Sequence, residues 1–282
     1  MTPTPNFVRR FFCNRKYQSS HGYRRVVHPI EQLRYVARAS GSDASLLVSE
    51  AASALGMFRD DRNALLAGCR SLLARQPGVG PLWWMCSQLL ADHDVASAVR
   101  MVVREIELDP TPRDLSESLP SSATVVVAGW PDSVVRALAI RADVRVLVVD
   151  VDDQARALVR RLERSDVDAE AVEPSHFAGA VEAANVVLVE AGAMGSSECL
   201  TDVGGMTLAA LAKVSSTPCW LVAGVGRLLP EVYFTEIIER VSDDRIPSFV
   251  AEFEVVSRTM FSRTISAHAD CPVLPELLNS RR

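Results

Sequence analysis

The sequence has no apolar run that reaches the roughly 18 residues a membrane-spanning helix needs, so no membrane contact is expected. It has no Cys-x-x-Cys pair. Its six cysteines (13, 69, 86, 199, 219 and 271) are scattered, several of them in predicted helices or strands. They read as reduced, buried thiols in a cytoplasmic protein, not as a zinc site or a disulfide frame. There is no excess of positive charge either. The net charge is −5, so the bulk composition makes no case for nucleic acid. Gly-x-Gly-x-x-Gly is missing: VVVAGWPDS offers one glycine, which argues against a dinucleotide site even though Asp150 ends a predicted strand, where a ribose would be held. No Gly-x-Ser-x-Gly elbow supports a hydrolase built on Ser133, Ser196 or Ser197 with His176.

What is present is a chain of 282 residues, 48% hydrophobic, long enough for one large domain or two modest ones. Residues 1–29 form a basic arm in which Arg9, Arg10, Arg15, Lys16, Arg24 and Arg25 precede the first acid, Glu31, with aromatics between them. Such mixing marks an RNA contact, a transit-like peptide or a disordered tail; the last reading is adopted, and nucleic acid is expected only through this arm if at all. From residue 30 to 110 the apolar spacing is helical, with helices over Pro29–Ala39, Ala44–Gly56, Asp60–Arg75, Pro81–Ala91 and Val95–Leu108. Trp83 and Trp84 read as packing residues. The stretch DPTPRDLSESLPSS is rich in Pro, Ser and charge, so residues 111–122 are taken as a linker. From residue 123 to 282 strands and helices alternate, which implies a parallel sheet covered on both faces. The expected fold class is α/β: a helical N-terminal domain followed by a Rossmann-like doubly wound parallel sheet.

The most informative stretch runs from Asn185 to Ala223. NVVLVE is a buried strand, AGAMGSSECLTD a polar, glycine-bearing loop, Val203–Val214 a helix with Asp202 as N-cap, and CWLVA a second strand. A loop at the carboxyl end of such a strand is where open α/β sheets hold ligands.

LAALAK (Leu208–Lys213), STPCWLVAG and Gly204 resemble the family that joins the α, β and δ subunits of translation initiation factor 2B to the methylthioribose-1-phosphate and ribose-1,5-bisphosphate isomerases. RQPGVGPLWWMCSQLL resembles that family's segment with a substrate-binding arginine, which makes Arg75 a ligand residue or else a helix-end cation. The resemblance implies an isomerase site with a cysteine and an aspartate for proton traffic. Here Gly129 stands at the cysteine position. The aspartate falls on Glu198, which is kept as the one catalytic candidate, with a solvated loop acid as the competing reading. The substrate-holding Asn and Lys fall on Thr201 and Asp202, and Gln154 keeps the family's glutamine place. Asp150 and Asp152 bring acid where the family has base, which weakens a phosphate grip. The resemblance therefore implies an initiation-factor-2B-like protein that has lost catalysis and binds a small phosphorylated ligand or a protein partner; the alternative is an aldose–ketose isomerase with altered residues. Candidate ligand contacts are Arg75, Gly129, Gln154, Thr201 and Asp202. No metal or cofactor is expected. A homodimer through the C-terminal domain is implied by the family, and Phe249, Phe253, Val255, Val256 and Phe261 ask for cover in a polar tail.

Overall fold

The computed structural model describes residues 44–151, 153–242 and 251–278. The basic arm, the helix expected over Pro29–Ala39 and Phe249 lie outside the described residues. The first described helix, α1 (Ala44–Leu55), buries Leu47, Val48, Ala51, Ala52 and Leu55, a stripe at helical spacing. In α2 (Arg62–Arg75) the Asp61 carboxylate caps the start by accepting from Ala64 N at 2.9 Å. α3 (Gly80–Ala91) is apolar all round and almost wholly buried, so it forms the centre of the helical layer. Its two indoles are satisfied inside the core: Trp83 Nε1 donates to Pro77 O and Trp84 Nε1 to Asp270 O, each at 2.9 Å. α4 (Val95–Glu107) closes the layer, with Asp94 accepting from Ser97 N at its start.

The stretch read as a linker is a helix in its first part. α5 (Thr111–Ser118) packs Leu115 into the core of the sheet. Its prolines mislead, because Pro112 sits in the first turn, where the missing N–H costs nothing.

The sheet contains β1 (Thr124–Ala128), β2 (Arg145–Val149), β3 (Asp168–Val172), β4 (Val186–Met194), β6 (Cys219–Ala223) and β8 (Arg263–Ser266), all parallel, in the order β3-β2-β1-β4-β6-β8. Helices α6 (Asp132–Leu138) and α7 (Ala155–Glu163) cover one face together with α5, while α8 (Phe177–Ala183) and α9 (Gly205–Ser215) cover the other. The fold is thus α/β with helices on both faces of a parallel core, as the alternation requires.

Two strands extend this sheet where a loop was expected. β4 runs on through Ala191, Gly192 and Ala193 to Met194, β5 (Glu198–Asp202) returns antiparallel to it, and β7 (Phe253–Ser257) pairs antiparallel with β5. The small residues serve close packing, not a turn: a Cβ on Gly192 would stand 2.8 Å from Gly78 O of the helical layer. Asp202 consequently ends β5 and does not cap α9. That helix starts at Gly205 behind Gly204, whose φ of 97° lies in the left-handed region, and its first turn is capped from β7, where the Glu254 carboxylate accepts from Met206 N at 2.8 Å.

Helix α10 (Glu231–Val241) leaves the sheet and joins the helical layer, with Tyr233, Phe234 and Ile237 buried there. The Trp83 and Tyr233 rings lie 5.5 Å apart and the Arg240 guanidinium sits 4.6 Å above Trp83. The terminal turn α11 (Pro275–Leu278) adds Leu277 to the same core. The aromatic and aliphatic residues of the tail find their cover within the chain. Phe253 and Val255 pack on the helical core, and Val256 and Phe261 on the sheet. Their exposure is therefore no argument for a dimer.

Candidate functional site

The carboxyl ends of β1, β4 and β6 meet around one buried ion pair. Glu190 is the last residue of β4 that pairs with β6, and Arg227 follows β6 by four residues. Arg227 Nη2 lies 2.5 Å from Glu190 Oε1, with 10% and 6% of the two side chains exposed. The same carboxylate accepts from Ser133 N at 2.9 Å, Val134 N at 3.3 Å and Ser133 Oγ at 3.1 Å. Those two N–H groups belong to the first turn of α6, which follows β1. Glu190 therefore sits on the positive end of that helix, where backbone donors point at a bound anion in many α/β proteins. Burial raises its pKa, against the lowering effect of Arg227 and the three α6 hydrogen bonds. Arg227 also donates from Nη1 to Ala191 O, and its carbonyl accepts from Met194 N at 2.7 Å, which ties the loop after β6 to the end of β4. Asp109 approaches from the helical side, accepting from Thr111 N at 2.9 Å and Val225 N at 3.2 Å.

Neither member of this pair is among the residues proposed from sequence. A signal was available: Glu190 interrupts VVLVEAGA and Arg227 interrupts VAGVGRLLP, and a charge inside an apolar run has to find a partner once the run is buried.

The proposed residues fall into separate places. Gly129 follows β1, buried, with φ of 65° and open space where a Cβ would point. A Cβ on Gly204 would meet Val151 Cγ1 at 2.7 Å and Ala128 Cβ at 3.6 Å, so the ends of β1 and β2 converge on the turn between β5 and α9. Gly129, Gln154 and Asp202 lie within three residues of that junction. Gln154 is the half-buried N-cap residue of α7, and Asp202 is exposed at the end of β5. Thr201 is buried, and its hydroxyl donates to Glu254 O at 3.5 Å. Glu198 stands at the opposite end of β5, exposed, about 13 Å from Asp202 at the usual strand rise. Arg75 is exposed at the end of α2, three residues before Gly78. Thus one group gathers at the strand ends while Glu198 stands apart from it along β5.

Buried thiols contribute no reactive centre: burial pushes Cys199 and Cys219 up to about 12. No group of three or more His, Cys, Asp or Glu among the described residues is placed to hold a metal ion. No helix among them is long and apolar enough to cross a membrane.

This architecture, helices first and then a doubly wound sheet, is similar to that of several solved structures. The translation initiation factor eIF-2B of Pyrococcus horikoshii OT3 superposes with a TM-score of 0.70 at 14% identity, over 84% of this chain and 94% of that one. A subunit of the tetrameric eIF2B-beta2-delta2 complex from C. thermophilum gives 0.65 at 14% identity, over 84% of this chain and 88% of the other. The 5-methylthioribose 1-phosphate isomerase of Pyrococcus horikoshii OT3 gives 0.57 at 14% identity, over 84% and 82%. No protein-family model and no curated protein matches the chain. The fold is therefore that of initiation factor 2B subunits and of the isomerase, in agreement with the resemblance read from LAALAK and STPCWLVAG. At such identity the likeness concerns fold alone, and function has to be argued from the site.

Proposed function

We propose that this chain is a non-catalytic, initiation-factor-2B-like protein that acts by binding. The observation that carries this reading is the Glu190 carboxylate on the first turn of α6. Those N–H groups are what a phosphate would use at the end of β1, and a buried carboxylate already takes them. An incoming phosphate would displace a charge that is paired with Arg227 and almost fully buried. The residues available for proton transfer point the same way. Isomerisation needs a donor and an acceptor beside adjacent carbons, and Gly129 offers neither. Glu198 alone cannot serve both ends. Of the two kinds of binding considered, a small phosphorylated ligand held by Arg75, Gly129, Gln154, Thr201 and Asp202 or a protein partner, the filled helix terminus favours the protein partner at this end of the sheet. A second copy of the chain is the simplest such partner. Val203 and Met206, each 38% exposed on the turn into α9, offer it an apolar contact.

The test is an assay of aldose–ketose isomerisation with methylthioribose 1-phosphate and with ribose 1,5-bisphosphate, alongside sedimentation of the full chain. No turnover and a dimer are expected. Turnover that disappears in Glu198→Gln would overturn the non-catalytic reading in favour of an altered isomerase, and a monomer at micromolar concentration would remove the self-association.

A further inference from the structure

On one face of the sheet α5, α6 and α7 line an open cleft of about 390 Å³. An arginine of each helix lines it: Arg113 of α5, Arg136 of α6 and Arg161 of α7. Val135, Leu162 and Ile140 supply apolar lining. The acid at its wall, Asp109, has both carboxylate oxygens engaged by backbone N–H groups of Thr111 and Val225. Three arginines thus line one small space against a single lining acid, Asp109, which leaves the cleft with an excess of positive charge that an anion would offset.

The arginines have few internal partners. Arg113 pairs with Glu117 at 2.8 Å, but the two side chains are 79% and 61% exposed, and such pairs hold weakly. Arg136 reaches Ser45 Oγ at 3.4 Å, a long bond. Arg161 makes no side-chain hydrogen bond or ion pair among the described residues. Service to the helix dipoles explains part of the pattern, since Arg136 and Arg161 lie in the last turns of α6 and α7. It does not explain Arg113, which lies in the first turn of α5, the end where a cation is disfavoured.

From this convergence we infer that the cleft is a binding site for a small molecule carrying two linked phosphate groups. Guanidinium forks match phosphate oxygens two at a time, and three of them exceed what one phosphate needs. The volume lies in the range of small-ligand pockets, roughly 300–1,000 Å³, and is too small for a macromolecular segment of any length. The apolar lining gives the non-phosphate part of the ligand a surface to rest on. This site adjoins the strand ends through Asp109 but includes neither Glu190 nor Arg227. It does not depend on the absence of catalysis there, which fails by turnover, whereas this inference fails by binding.

The experiment is calorimetric titration of the full chain with pyrophosphate and, in parallel, with inorganic phosphate. Pyrophosphate binds more tightly than phosphate, and its affinity falls as salt rises. Arg113→Gln and Arg161→Gln, both exposed positions whose loss leaves the core intact, each weaken pyrophosphate binding about ten-fold or more. Arg104→Gln, on the exposed face of α4 outside the cleft, removes the same charge and leaves the affinity unchanged. Three results overturn the inference: no pyrophosphate binding, wild-type affinity in both cleft variants, or an equal loss in Arg104→Gln.

Discussion

Glu190 shows at the scale of one residue how a charge survives inside this protein. Its carboxylate has four partners, and only one of them is a full charge. Removing Arg227 would leave the acid buried against three dipoles. We expect Arg227→Met to lower stability by about 3–5 kcal/mol in urea unfolding, the usual effect of breaking one side of a buried pair. The pH dependence carries a sign. Burial holds the folded-state pKa of Glu190 above its ordinary value, and Arg227 is the largest influence lowering it. Without Arg227 the folded value rises further. A group with a raised folded value gives stability that is present below the unfolded value and lost as pH rises through the folded one. The deficit of Arg227→Met is therefore smallest in acid and grows toward mildly alkaline buffer. A deficit that shrinks over that range, or one below about 1 kcal/mol, would contradict the account.

At the scale of elements, the parts that repeat a period were legible and the part built from small residues was not. Leu47, Val48, Ala51, Ala52 and Leu55 announce α1, and TVVVA and RVLVV announce the central strands. AGAMGSSECLTD reads as a loop because Gly and Ser dominate it, yet it forms the β4–β5 hairpin. Neighbouring backbone, not side-chain pattern, decides its conformation: Gly192 gives room to Gly78, and β7, some fifty residues later, completes the pairing of β5. The same distance hid the site. Glu190, Ser133 and Arg227 are brought together only by the crossovers between β1, β4 and β6. The resemblance, by contrast, rested on a contiguous block, and so it foresaw the fold. A direct check on this region is Gly204→Ala. Its φ of 97° is a left-handed position, and the added methyl group would press on Val151. A loss of about 1–2 kcal/mol in urea unfolding is expected. A variant as stable as wild type would show that the turn into α9 relaxes without cost.

At the scale of the whole molecule, the helical layer and the sheet are not independently closed. The core around Trp83, Leu82 and Leu89 also contains Ala193 and Leu200 from the hairpin, Tyr233 and Ile237 from α10, and Leu277 from the last turn. Tyr233 strengthens the link: its hydroxyl donates to Pro272 O at 3.0 Å and accepts from Leu274 N at 2.7 Å. Unfolding should therefore be one event. Tryptophan fluorescence, which samples Trp83 and Trp84 in the helices and Trp130 and Trp220 beside the sheet, and far-ultraviolet dichroism are expected to give coincident denaturation curves. Two separated transitions would mean that the shared core couples the halves too weakly to matter. The arrangement also sets a schedule for biosynthesis. The helices from α1 to α4 are translated long before Leu277, and they cannot finish their own interior until it has been released. Until α11 arrives, Trp83 and its neighbours present an incompletely covered apolar surface, the stage at which a nascent chain is most exposed to misassociation.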